Sequence, residues 1–310
     1  MDIGEYRNCL YHSEGLFSVI YKAATTRHDG YFAQSVEESR KMVALKVTQP
    51  SVMEPPHDSK REAQLLKSAA SDRVIPLLET FNEPGSRFVL VFPFMHYNLS
   101  QLLHSNKVTK LQARSALKDM FSALAFIHER GLIHRDVKPS NILLKTMDGP
   151  AYLADFGIAW APDTVKSEPH DAKITDVGTT CYRPPELLFG NKKYGCELDL
   201  WAAGCTVAET VVPDHPTLFD SGELGSDLAL IASTFSKLGT PNLDVWPVRS
   251  FIDRFVSLLI RCRKLQNFRT GARCSSLTFP LKRGRTYSQA RRTSSKTLSA
   301  SWSATRVKTE

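Results

Sequence analysis

One stretch constrains this chain more than any other, the segment from Ile133 to Leu144, which reads IHRDVKPSNILL. Within one loop between apolar segments it presents an aspartate, a lysine two residues on and an asparagine five residues on. Transfer of a γ-phosphoryl group needs an acceptor for the substrate hydroxyl proton, a cation on the moving phosphate and oxygen ligands for Mg²⁺. Asp136, Lys138 and Asn141 match these three roles.

Two further motifs complete the groups that such a transfer needs. The apolar segment YLADFG ends in Asp155, a second oxygen ligand. Upstream, VALK places Lys46 on a strand, and Glu62 follows 16 residues later on a predicted helix. A lysine held by a glutamate directs positive charge at the α and β phosphates of ATP. Each motif alone is a frequent chance match, and a lone loop aspartate is usually just solvated, but their order and spacing favour catalysis.

The spacing of apolar and polar residues, alternating in strands and recurring every three or four residues in helices, predicts an α+β fold with two lobes. A small, mostly antiparallel sheet with one helix is expected over residues 1–95, and a larger, mainly α-helical lobe over residues 96–248. The predicted strands are 17–23, 42–47 and 87–94, and the predicted helices are 60–70, 111–130, 198–210 and 227–239.

These motifs resemble the eukaryotic protein kinases from about Gly4 to Val248. The resemblance implies a two-lobed kinase fold, ATP and Mg²⁺ as cofactors, and protein substrates. Lys138 is typical of kinases that act on Ser or Thr, since Tyr-directed members usually place Ala-Ala-Arg near there. The segments LVFPFMHYNL, YRPPELLFG, DLWAAGCTVAE and KLGTPNLDVWP resemble the cyclin-dependent kinase group in particular.

The same resemblance assigns an ATP pocket and an activation segment. YHSEGLFSVIYKA becomes the phosphate-covering loop around Gly15, although Ser13 and Ser18 stand where two of three family glycines belong. Weaker ATP binding is therefore expected. The residues assigned to the adenine ring, Ile20, Ala44, Phe92, Pro93 to Met95 and Leu143, are each equally well explained as ordinary core residues. The pocket set is Gly15, Ile20, Ala44, Lys46, Phe92 as gatekeeper, the backbone of Pro93 to Met95, and Leu143; the activation-segment set is Thr175, Gly178, Thr179, Arg183 and Glu186.

Departures from the cyclin-dependent pattern concern regulation. Lys60 stands where an apolar isoleucine would enter a cyclin, which makes a cyclin partner doubtful because an unpaired buried ammonium is costly. Leu16 and Phe17 replace the Thr-Tyr pair that is phosphorylated to inhibit these kinases.

Of three arginines that bind a phosphothreonine, only Arg61 and Arg135 match, because the third position is Trp160. Thr175 lies near Asp171 and Asp176, which would repel an added phosphate. These features resemble the single-subunit, fungal-type kinases that activate cyclin-dependent kinases, which suggests a role in cell-cycle control.

The tail, residues 249–310, departs from the kinase pattern. Glu186 should pair with an arginine in a D-P-x-x-R segment, and FPLKRGRTYSQA resembles that segment only weakly, with Arg283 or Arg285 as candidates. Breaking such a buried pair costs on the order of 3 to 5 kcal/mol. We therefore expect the end of the large lobe to be divergent or incomplete. The alternative function is a catalytically impaired pseudokinase or scaffold.

Charge is concentrated in this tail, which carries 15 of the 40 Lys and Arg but 2 of the 32 Asp and Glu. A solvated, partly disordered tail is one interpretation; a basic arm for nucleic acid, an anionic membrane or nuclear import is the other. No run of apolar residues is long enough to span a membrane. Six scattered cysteines favour free thiols, and the expected location is the cytoplasm, the nucleus or both.

Overall fold

The computed structural model describes residues 1–25, 41–105, 108–162, 164 and 167–239. These residues belong to one compact unit, Met1–Arg263. The basic tail over residues 249–310, with Arg283 and Arg285, lies outside the described residues.

The first part of the chain forms a five-stranded antiparallel sheet in the order β1-β2-β3-β5-β4. The three predicted strands and the predicted helix are confirmed as β2, β3, β5 and α1. Two strands were not predicted: every residue of β1 is exposed, and β4 is short and only half-buried, so neither shows a clear hydrophobic pattern. The elements are β1 (Leu10–Gly15), β2 (Ser18–Thr25), β3 (Lys41–Thr48), α1 (Ser59–Ser68), β4 (Glu79–Glu83) and β5 (Arg87–Pro93).

The larger, mainly helical part follows. Asn98 and Thr109 each form a capping box with the glutamine three residues later, which fixes the starts of α2 and α3. A three-stranded antiparallel sheet, β6-β7-β8, lies beside α3. The elements are β6 (Tyr97–Asn98), α2 (Leu99–His104), α3 (Lys110–His128), β7 (Ile142–Leu144), β8 (Ala151–Leu153), α4 (Pro185–Leu188), α5 (Glu197–Val211) and α6 (Asp227–Leu238).

The buried apolar side chains lie where they can hold the two parts together. One cluster joins Leu66 of α1 and Phe92 of β5 to Met120 of α3 and Phe156 after β8. Burying large apolar side chains contributes roughly 1.5–3 kcal/mol each. The helix that carries Glu62 and the loop that follows Asp155 therefore share one core, which limits how far either can shift alone.

Candidate active site

Asp199 on α5 holds the loop that precedes β7 through hydrogen bonds to its backbone. Its buried carboxylate accepts the backbone N–H groups of His134 and Arg135, both at 2.8 Å, and lies 2.8 Å from His128 Nε2. A buried carboxylate with several hydrogen bonds is a rigid support. Asp199 lies in the segment DLWAAGCTVAE, but no local pattern in the sequence predicts a role for it.

Asp136 is held by hydrogen bonds on both carboxylate oxygens. Its Oδ1 accepts from the backbone N–H of Thr179 at 3.0 Å and from the Thr179 hydroxyl at 2.8 Å. Its Oδ2 accepts from Asn141 Nδ2 at 3.0 Å and lies 2.8 Å from Lys138 Nζ. Lys138 also donates to the Thr179 hydroxyl at 2.6 Å. The structure thus brings these four predicted residues together, and Thr179 links the catalytic loop to the activation segment.

Lys46 connects the sheet, α1 and the segment after β8. Its Nζ donates to Glu62 Oε1 and Oε2 at 2.7 and 2.9 Å, and to Asp155 Oδ1 at 2.8 Å. Burial alone would lower the pKa of Lys46, but Asp155 and Glu62 outweigh it and raise that pKa. The charge of Lys46 holds the pKa of Asp155 well below its ordinary value. Lysine and aspartate are therefore both charged at neutral pH.

These residues fit the magnesium and phosphate groups of Mg-ATP. The Asn141 amide nitrogen also donates to the backbone oxygen of Asp136, at 2.8 Å, so its side-chain oxygen is the atom left for a cation. Asp155 is half-exposed, with a side-chain relative accessibility of 49%. An amide oxygen and a carboxylate are the oxygen donors that Mg²⁺ prefers.

The predicted adenine pocket residues occupy adjoining strands. Ala44 pairs with Phe92, and Ile20 pairs with Lys46 across β2 and β3. Ile20, Ala44 and Leu143 are only partly buried, whereas Phe92 and Met95 are buried. A partly buried apolar set between two lobes provides walls for an aromatic ring. The assignment of individual pocket residues stays a prediction.

The glycine loop is the hairpin between β1 and β2. Gly15 pairs with Ser18 across it, and Ser13 sits at a register shift in β1. The Phe17 ring packs against His57, with ring centroids 4.7 Å apart. The tip of the loop therefore lies against the residues that lead into α1.

The predicted residues of the activation segment lie in surroundings that differ from one residue to the next. Gly178 has φ +77°, and a Cβ there would lie 2.6 Å from the Arg135 carbonyl oxygen, so glycine is required. Arg183 donates to the Gly178 carbonyl at 2.9 Å and pairs with Asp176 at 2.7 Å. Thr175 is partly buried, and no hydrogen bond or ion pair within the described part of the chain involves it.

Glu168 is an acidic residue of the activation segment for which the sequence predicted no role. Both oxygens of Glu168 accept from Arg135, at 3.0 and 2.6 Å, and the Trp160 ring N–H donates to the Glu168 carbonyl at 2.9 Å. No local motif marks Glu168, since its role depends on where the chain returns to Arg135.

Glu186 is buried at 2% relative accessibility, and its Oε2 has no hydrogen-bond partner among the residues that the structure describes. Burial raises the pKa of Glu186 to about 7. The arginine that the sequence analysis assigns to it falls in the undescribed tail, so that pairing stays a prediction.

The four described cysteines, Cys9, Cys181, Cys196 and Cys205, are free thiols, as expected. Within the described ranges, no helix combines the length and apolar character needed to cross a membrane.

Comparisons with known proteins give a family match and several similar chains. Residues 29–271 match the family described as "Protein kinase domain", and this match continues beyond Val248, where the resemblance in the sequence ends. Serine/threonine-protein kinase csk1 of Schizosaccharomyces pombe is 36% identical over 222 residues, 70% of either chain. Cyclin-dependent kinase D-1 of Oryza sativa subsp. japonica is 32% identical over 78% of this chain and 53% of its own length. Cyclin-dependent kinase 7 of Xenopus laevis is 31% identical over 82% and 68%.

Proposed function

The chain belongs to the protein kinase family and carries the catalytic set of a cyclin-dependent-kinase-like serine/threonine kinase; we propose that it transfers the γ-phosphoryl of ATP to protein substrates as a single subunit. The observation that carries this proposal is the joining of two groups of charged and polar residues: Asp136 contacts Lys138 and Asn141, and Lys46 contacts Asp155. The backbone N–H of Ala154, the residue before Asp155, donates to the Asn141 carbonyl at 2.9 Å and so links the two groups. Fold resemblance alone would not establish an activity.

Each residue has a defined task in the transfer. Asp136 orients the substrate hydroxyl and accepts its proton, and Lys138 neutralises charge on the moving phosphoryl group. Asn141 and Asp155 would hold Mg²⁺, which would offset negative charge on the phosphates. Lys46, fixed by Glu62, positions the α and β phosphates.

Activity without a cyclin is supported by the position of α1. In this single chain Glu62 already pairs with Lys46 at 2.7 Å, the contact that a partner would otherwise have to create. Lys60, two residues before Glu62 in α1, is exposed, which suits contact with water better than contact with an apolar partner. The substrates that we propose are activation segments of other kinases, by analogy with the kinase-activating kinases.

Labelling of a generic protein substrate with ATP tests the activity. We expect wild-type turnover to fall at least about a thousandfold in Asp136→Asn, while the melting temperature stays within a few degrees. A wild-type signal no larger than that of Asp136→Asn would support the pseudokinase or scaffold instead.

A second experiment tests both the proposed substrate and the proposed activity as a single subunit. The purified chain alone should phosphorylate a catalytically inactive cyclin-dependent kinase, and the same substrate with alanine at its activation-segment threonine is the control. Stimulation by a cyclin of more than about tenfold would contradict single-subunit action.

A further inference from the structure

The carboxylate of Glu168 pairs with Arg135, the residue that precedes the proposed catalytic base Asp136. The Arg135 side chain is fully buried, and Glu168 beside it is 11% exposed. Two parallel hydrogen bonds join them, from Nη1 to Oε1 at 3.0 Å and from Nη2 to Oε2 at 2.6 Å. A bidentate arginine–carboxylate pair fixes orientation as well as distance. The path of the segment around Glu168 is therefore tied to the residue that precedes Asp136.

A second buried arginine, Arg61 of α1, contributes to the electrostatics of Glu168. The charges of Arg61 and Arg135 repel each other, and both attract Glu168. Burial alone would raise the pKa of Glu168, but the hydrogen bond and charge of Arg135, together with the charge of Arg61, lower that pKa. Glu168 thus offsets the buried charge of Arg135, with which it pairs directly, while Glu168 and Asp58 both attract Arg61.

Trp160 holds Glu168 from the other side. Its ring N–H donates to the Glu168 carbonyl, and its backbone exchanges two 2.8 Å hydrogen bonds with Ile133, at the entrance to the catalytic loop. The residue that replaces a third arginine in the sequence therefore positions a built-in anion. A carboxylate has one oxygen fewer than a phosphate's terminal group, and Arg135 Nε is buried without an acceptor among the described residues.

We propose that Glu168 is a positioning residue, a permanent anion that fixes the activation segment to the catalytic loop through Arg135 and Trp160 and takes the place of a phosphorylated residue. This inference rests on the proposed function, since the reaction it serves is the transfer at Asp136. Thr175, the candidate for phosphorylation, makes none of these contacts.

Four variants test the role. Glu168→Ala removes the anion and leaves space, Glu168→Gln keeps the volume without the charge, and Glu168→Asp keeps the charge. Asp171→Ala removes an exposed carboxylate of the same segment and is the matched control. We expect kcat to fall ~10- to 100-fold in the alanine and glutamine variants and to recover partly in the aspartate variant, with KM for ATP changed less than about twofold.

Rescue by inorganic phosphate separates this role from a general structural one. Phosphate should restore kcat in Glu168→Ala but not in Glu168→Gln, relative to chloride at the same ionic strength. It should also raise the melting temperature of Glu168→Ala only, a readout that needs no catalysis.

Wild-type kcat in Glu168→Ala, or no specific phosphate effect on it, would overturn the proposal. If Glu168→Ala does not fold, full kcat in Glu168→Gln overturns it, and a loss there with normal Asp171→Ala supports it. An inactive wild type would refute the proposed function, while the melting shift still decides whether Arg135 forms an anion site.

Discussion

Thr179 donates both its backbone N–H and its hydroxyl to Asp136 Oδ1, at 3.0 and 2.8 Å. The activation segment therefore sets the orientation of the proposed catalytic base, and it does so through a side chain that also accepts from Lys138 at 2.6 Å. Orientation of a reacting group contributes strongly to rate, because misplacement of about 1 Å can cost two orders of magnitude.

Removing the Thr179 hydroxyl should therefore reduce catalysis more than stability. We expect Thr179→Val to lower kcat ~10- to 100-fold, and Thr179→Ser to stay within about threefold of wild type. Thr180→Val is the matched control, because no hydrogen bond of its hydroxyl appears in the described part of the chain. Steady-state kinetics decide the matter, and equal losses in the Thr179→Val and Thr180→Val variants would contradict this role.

A side chain at Gly178 should disturb the link between the activation segment and Arg135. Gly178→Ala places a Cβ 2.6 Å from the Arg135 oxygen and also strains a φ of +77°. Gly190→Ala strains a similar φ of +73° but meets no atom within 4 Å, so it isolates the cost of the angle, about 1–2 kcal/mol. We expect a larger fall in melting temperature and kcat for Gly178→Ala; indistinguishable variants would refute the close-contact argument.

Stability should depend on pH through Glu186. Its pKa rises from an ordinary 4.5 to about 7 in the folded chain, so between these values the unfolded chain releases a proton that the folded chain keeps. This group's contribution to stability is therefore present at pH 4.5 and is lost as the pH rises towards 7, by up to about 3 kcal/mol.

Glu186→Gln removes that dependence, so the variant should gain stability relative to wild type as the pH rises from 5 to 8. Chemical unfolding of both proteins across this range measures the difference. A difference that does not change with pH would mean that Glu186 is ionised and paired, as an arginine after residue 239 would make it.

Restoring glycine at Ser13 and Ser18 should tighten ATP binding. Both positions lie in the β1–β2 hairpin, where Ser18 faces Gly15 and Ser13 faces Ile20. Without the serine Cβ and hydroxyl the backbone can approach the phosphates more closely. We expect the double variant to lower the ATP dissociation constant roughly threefold. Adenosine, which has no phosphates, is the control ligand, and an unchanged ATP constant would count against the prediction.

The sequence was sufficient for groups that act within a short motif. Asp136, Lys138 and Asn141 sit in one loop, so their spacing alone predicted that they meet. Asp155 and Glu62 required only that two neighbouring elements pack in the usual kinase arrangement. The secondary structure was predicted correctly where apolar residues recur at regular intervals, as in α3. The strand β1 was not predicted, because its six residues are all exposed.

The remaining site residues depend on long-range contacts that no local pattern encodes. Asp199 reaches His134 and Arg135 across more than sixty residues of sequence, and Glu168 reaches Arg135 across 33. Trp160 stands where the third phosphothreonine-binding arginine would be, and two arginines alone would bind a phosphate less firmly than three. The fold shows instead that the same tryptophan holds the carboxylate that pairs with Arg135.

That carboxylate changes how such an enzyme would be controlled in a cell. A phosphatase cannot remove Glu168, and the loop residues Leu16 and Phe17 offer no hydroxyl for an inhibitory kinase. Neither activating nor inhibitory phosphorylation is possible at these positions. Without reversible modification at these three positions, the amount of the protein and its encounter with the substrate would carry more of the control.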